Sequence, residues 1–206
     1  MSKKFVLFMT CIIMLMSILG CSKAGEKSSL NTKGTINQKE NTGYQRFEDM
    51  GLEVNVKAIE GKYAKNITLS KVENFHDDNE PIYGVLSYGF LSNESIKEYE
   101  DIEKLTEDSD EKKEKLHEVF IKIKPLQNIT VFRKDKMPSK DKIGALTECK
   151  NNYKIGEVDN YIFYFSYNDY DDSGLSEEGK KIYKSLYGDM NDIKKSIKVF
   201  KPAEAK

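Results

Sequence analysis

The sequence predicts an α+β fold, an antiparallel β-sheet packed with two to four helices. Three observations predict it. Apolar residues alternate with polar ones in short runs, which is the period of a half-buried strand. Two stretches, after Asn93 and after Ser176, instead carry apolar residues at helical spacing behind a capping residue. The runs also cluster, as strands, one charged helix, more strands, then two helices. Regular alternation would have pointed to a parallel sheet. An α/β/α sandwich is one arrangement that meets this pattern.

Leu52, Val54, Val56 and Ala58 alternate with Glu53, Asn55 and Lys57, giving the first strand. Gly61-Lys62 is a turn, and Ile67–Val72 a second strand. His76 to Pro81 is a polar loop. Ile82 to Leu91 is a long strand, with Gly84 and Gly89 where bulges are expected. Ser92 or Asn93 caps a helix whose Ile96, Tyr99, Ile102 and Leu105 share a face, and which reaches about Glu118. Thr106–Asp110 is poor helix material, which leaves either one helix with a break or a helix followed by a charged loop. Val119–Lys124 and Gln127–Arg133 read as strands parted by Pro125-Leu126. Arg133 to Lys142 is a basic turn, and Ile143–Cys149 is ambiguous. Tyr153–Val158 and Asn160–Asn168 form a hairpin about Asp159-Asn160, the second run being the candidate central strand. Ser176 opens one more helix, broken at Gly188. Asp189 opens the last, with Ile193, Ile197 and Phe200 on one face and Pro202 as its stop.

The chain has 206 residues, with 33 Lys+Arg against 34 Asp+Glu. A net charge of -1 speaks against a polycation that tracks nucleic acid, so no nucleic-acid partner is expected. The charge is unevenly placed. Lys3 and Lys4 precede a nearly continuous apolar run from Phe5 to Leu19. A basic start, an apolar run of about 15 residues and a small residue before a boundary describe a secretion signal. The run is short for a span of about 20 residues.

Ile18-Leu19-Gly20-Cys21 resembles the lipobox of bacterial lipoproteins. The resemblance covers the leader alone. It implies cleavage before Cys21, a diacylglyceryl group on the Cys21 thiol, and anchoring in the cell membrane on its extracytoplasmic side. Two acyl chains hold firmly where one binds marginally. The expected organisation is then a signal peptide over 1–20 and a lipidated N-terminus with a flexible tether over 21–45. One domain follows over 46–202, with a tail at 203–206. Residues 22 to 45, rich in Ser, Thr, Asn, Gly and Lys, have no periodicity that would support a core. Removal of the leader takes Lys3, Lys4 and Cys11 away and commits Cys21 to lipid. Cys149 is then the remaining thiol, so no internal disulfide is expected.

The layout over about 150 residues also resembles small domains of the PsbP/Mog1-like type, through a long strand and a closing helix that ends in Ser196-Ile-Lys-Val-Phe200. The Pro-x-x-Trp segment that opens such domains is missing, as the chain has no Trp.

Candidate chemistry is sparse. Asp169, Asp171 and Ser173, with Gly174 next and Glu177 at the ninth position, match the spacing of a calcium loop. Lys180 stands at the twelfth position, where a bidentate Glu belongs, and Ser176 where an apolar residue does. A solvated turn with a helix cap is the other reading. Calcium is therefore the sole cofactor candidate, and otherwise none is expected. His76 and His117 are the two histidines, too few for a zinc site. Cys149 lacks a C-x-x-C partner; Lys150 and Lys154 favour its thiolate while Glu148 opposes it. Motifs of nucleophilic hydrolysis and phosphate binding are missing. Tyr161, Phe163, Phe165 and Tyr167 fall on one face of a strand and form either a contact surface or core.

The expected function is a membrane-anchored cell-envelope lipoprotein with a non-enzymatic binding or accessory domain. Its partners would be membrane lipid, through acylated Cys21, and another envelope protein. The alternative is a thiol-exchange accessory that uses Cys149.

Overall fold

The computed structural model describes residues 44–55, 61–73, 79–105 and 109–203. All belong to one compact unit. The leader, Cys21, most of the tether, Val56, Ala58 and His76 lie outside the described residues.

Strands β1 (Tyr44–Phe47) and β2 (Leu52–Asn55) form an antiparallel hairpin. Its turn is a short 3-10 helix, Glu48–Met50, closed by Gly51 at φ 67°. A side chain there would bring a Cβ within 2.2 Å of the Phe200 carbonyl, so glycine is required by both conformation and space. Leu52 and Val54 are fully buried and Glu53 half-buried, as the alternation predicts.

The main sheet has five strands, all antiparallel: β3 (Ile67–Glu73), β4 (Ile82–Phe90), β5 (Lys124–Arg133), β6 (Asn151–Val158) and β7 (Tyr161–Tyr167). Their order is β3-β4-β5-β7-β6. Register shifts between β4 and β5 fall at Ile82/Gly84 and Tyr88/Gly89, where the two glycines predict bulges. The β6–β7 turn carries Asp159 at φ 51°, a conformation that Asp tolerates. β7 is flanked by strands on both sides, although β5 is the middle strand.

β5 corrects one expectation. The two short strands parted by Pro125-Leu126 are a single strand that starts at Lys124, and Val119 belongs to a helix. Pro125 pairs with Gly89 beside the bulge, at the strand's second residue, where a missing N–H costs little. Burial of Val119 against Leu91 and Ile102 outweighs its β-branched preference.

The break in the charged helix is real: α1 (Asn93–Glu103) and α2 (Asp110–Phe120) are separate. The Ser92 and Ser109 hydroxyls cap them, accepting from Ser95 N and Lys112 N at 3.2 Å each. The ambiguous segment is α3 (Lys140–Thr147). α4 (Glu177–Gly188) is capped by Ser176, which accepts from Gly179 N at 3.1 Å. α5 (Met190–Ser196) ends well before Pro202, against expectation. The Ser196 hydroxyl donates to Ile193 O and accepts from Asn55 N. The chain then extends as β8 (Lys198–Val199), which pairs with β2 through Leu52 and Val199. A sheet partner satisfies that backbone better than another exposed helical turn.

The main core lies between one face of the sheet and α4, α5 and the small β1-β2-β8 sheet. Leu86, Phe90, Ile129, Val131, Phe163 and Phe165 meet Met50, Leu52, Ile182, Leu186 and Ile193 there. On the other face, α3 is tied by polar bonds: Thr147 Oγ1 and Ser166 Oγ both donate to Asn152 Oδ1 at 2.7 Å. The result is an α/β/α-type arrangement.

Candidate functional site

A cleft of about 1140 Å³ opens where α1, the entry to β5 and the loop before α4 meet. One wall is the first turns of α1, with Glu94 and Glu98. A second is Ile121–Pro125. The third is the loop 168–176, backed by Tyr183.

The loop is held from behind. The Tyr187 hydroxyl donates to Asn168 O at 2.8 Å, and Asn168 Nδ2 donates to Glu148 O at 3.0 Å. Tyr170 stacks on Tyr183, with ring centroids 5.5 Å apart and planes 23° apart, and meets Tyr187 edge-on. Tyr183 in turn donates to Pro125 O at 3.2 Å, and burial pushes its hydroxyl up to about 12. Tyr170 keeps 38% of its surface exposed, so a fixed aromatic side chain lines the cleft.

Charges in the walls are paired across elements. Lys122 meets Glu98 at 2.6 Å, and Lys150 meets Asp169 at 2.9 Å. Lys124 lies 3.5 Å from an Asp171 carboxylate oxygen and donates to Asp171 O at 3.2 Å. Glu94 is tied differently. Its carboxyl is held below the ordinary range first by its own backbone N–H and then by the Ser176 hydroxyl, which donates to it at 2.8 Å. The surface therefore offers donors, acceptors, one stacked aromatic ring and apolar patches at Ile121, Ile123 and Leu175. That combination suits reversible recognition.

The residues with calcium-loop spacing divide. Asp169 takes hydrogen bonds from Lys150 and Asn151, while Asp171 Oδ1 accepts from Ser173 N at 3.0 Å. Ser173 Oγ faces Lys124 Nζ, and Glu177 pairs with Lys180 at 2.8 Å on α4. Among the described residues, no three His, Cys, Asp or Glu side chains gather in a metal-holding cluster. Asp169 and Asp171 line the cleft wall, with lysines as their cations.

Cys149 is buried at 5% exposure. Burial pushes its thiol up to about 11, with Glu148 adding to the rise and a hydrogen bond from Asn128 opposing it. The thiol is therefore held protonated at neutral pH. Lys150 and Lys154, expected to favour the thiolate, are engaged by Asp169 and Glu157.

Of the two readings of the aromatic strand face, core is the one that its burial matches. Phe163 and Phe165 are 0% and 1% exposed, and Tyr161 and Tyr167 pack against the same core half-buried. α4 and α5 cover the face that the alternation predicts. Among the described residues, the exposed aromatic side chains are Tyr153 and Tyr170. Glu94, Glu98, Lys122 and Lys124 went unread as site residues because they come from separate segments that the fold brings together. Asp169 and Asp171, singled out for their calcium-loop spacing, are the cleft residues that the sequence does mark.

No family model, curated protein or solved structure matches this chain.

Proposed function

We propose that the chain is a lipid-anchored protein of the bacterial cell envelope, whose α+β domain binds an extended segment of another envelope protein in this cleft. The anchor rests on Ile18-Leu19-Gly20-Cys21 and the basic-apolar run before it. The tether over 22–45 gives the domain reach from the membrane surface. The described part of the chain has no helix long and apolar enough to cross a membrane.

The observation that carries the binding reading is Tyr170, held by Tyr183 and Tyr187 on the wall of an open cleft with paired charges on either side. Tyrosine gives a large amphipathic contact at little cost in conformational entropy. Thiol exchange is the weaker reading, because the Cys149 thiol is buried and protonated.

Selection from a phage-displayed library of random decapeptides tests this. Selected peptides are expected to bind at least about tenfold more weakly to Tyr170→Ala than to wild type, the effect of losing one central aromatic anchor. At about 100 times their dissociation constant they raise the wild-type melting midpoint by about 5–10 °C. Peptides that bind both proteins alike, or a library that yields none, would remove the cleft from the account.

A further inference from the structure

The α1–α2 helix pair is fastened differently from the rest of the domain. Leu91, Ile102 and Val119 make a small core of their own, with Ile96, Tyr99, Leu116 and Ile123 partly buried around it. None of these belongs to the main core.

The polar ties to the rest of the described domain all sit at the root of the pair. Asn66, itself fully buried, donates through Nδ2 to Leu91 O and to Asn93 Oδ1, at 3.0 Å each. Asn93 Nδ2 donates to Glu178 Oε1 at 2.7 Å, and Ser176 Oγ donates to Glu94 at 2.8 Å. Beyond Glu94, among the described residues, the side-chain hydrogen bonds and ion pairs of α1, α2 and the turn after α2 stay inside the pair, Lys122 to Glu98 among them. The second leg is seated by Gly89: a Cβ there would lie 2.4 Å from Ile123 Cγ2.

A segment with a small separate core and anchors at one end opens at a lower free energy than the sheet it hangs from. We infer that α1 and α2 open together as one unit, hinged at Leu91 and Ile123, while the five-stranded sheet stays folded. The consequence falls on the cleft. Glu94, Glu98 and Lys122 come from the pair, so its wall exists only while the pair is closed. Any molecule that needs that wall draws the pair shut. Opening itself requires no ligand, so this inference and the binding reading fail separately.

Native-state hydrogen exchange of the full chain in detergent tests the inference. Amides of α1 and α2 are expected to share one opening step and to exchange at least about 100-fold faster than the slowest amides of β5 and β7. Helices as slow as those strands, or two helices with unrelated rates, overturn it. Asn93→Ala, a mild change at the root, is expected to speed α1 and α2 together by about fivefold and leave β5 and β7 unchanged. Equal acceleration everywhere, or none in the pair, overturns the hinge.

Discussion

Phe163→Ala is expected to lower the unfolding free energy by about 3–5 kcal/mol. Phe163 is fully buried on β7, between β5 and β6 in the sheet, and its ring packs in the main core that α4 and α5 close. Truncation removes its transfer free energy and leaves a cavity that a sheet paired on both sides is poorly able to close. Against a typical total of about 5–15 kcal/mol, the variant stands near the edge of folding. Tyr153→Ala, on the edge strand β6 with 40% of its surface exposed, is the control. It gives up one stack on Tyr167 and one contact with Lys194, about 1 kcal/mol in all. Urea titrations of both variants check this. Equal losses would mean that the YIFYFSY face is not the core.

Gln127→Leu has the opposite sign. Gln127 is 1% exposed on β5, and among the described residues neither its Oε1 nor its Nε2 finds a hydrogen-bonding partner. Its cross-strand neighbour, Tyr88, is 2% exposed with a hydroxyl in the same condition. Burial pushes the Tyr88 hydroxyl far above its ordinary range, so it stays neutral. A buried polar group without a partner costs about 1–3 kcal/mol, and an apolar side chain of similar size removes that cost. Gln127→Leu is therefore expected to raise stability by about 1–3 kcal/mol, read as a higher urea midpoint at unchanged slope. A lowered midpoint would show that the amide is satisfied in solution and contributes to the fold.

Several strands were legible from a buried face, but β1 was not: its four residues, with Phe47 buried, begin inside the stretch expected to be tether. Leu52 and Val54 against Glu53, and the two glycines of β4, carried enough pattern to fix strand and bulge alike. Helix starts were legible for the same local reason, since Ser92 and Ser176 bond to amides three residues on. Failures came where a distant partner decides. Lys198 and Val199 continue a helical pattern until β2 is seen beside them. Val119 has strand character until Leu91 and Ile102 enclose it. Pro125 separates two strands until Gly89 is found opposite.

The site was legible to a smaller degree. The 169–177 segment drew notice for its carboxylates, and the fold does place Asp169 and Asp171 in the cleft wall. Their partners, Lys150 and Lys124, come from other elements, and sequence spacing carries no sign of them. The lipobox is the reverse case. The resemblance it rests on is wholly local, in four residues and the apolar run before them.

The proposal that this domain works at a membrane surface, held there by acylated Cys21, rests on the leader. Mass spectrometry of the N-terminal peptide, from protein extracted out of the membranes of the producing bacterium, tests it most directly. The expected peptide begins at Cys21 and carries a diacylglyceryl thioether on its thiol. A peptide that still contains residues 1–20, or an unmodified Cys21 thiol, would contradict it.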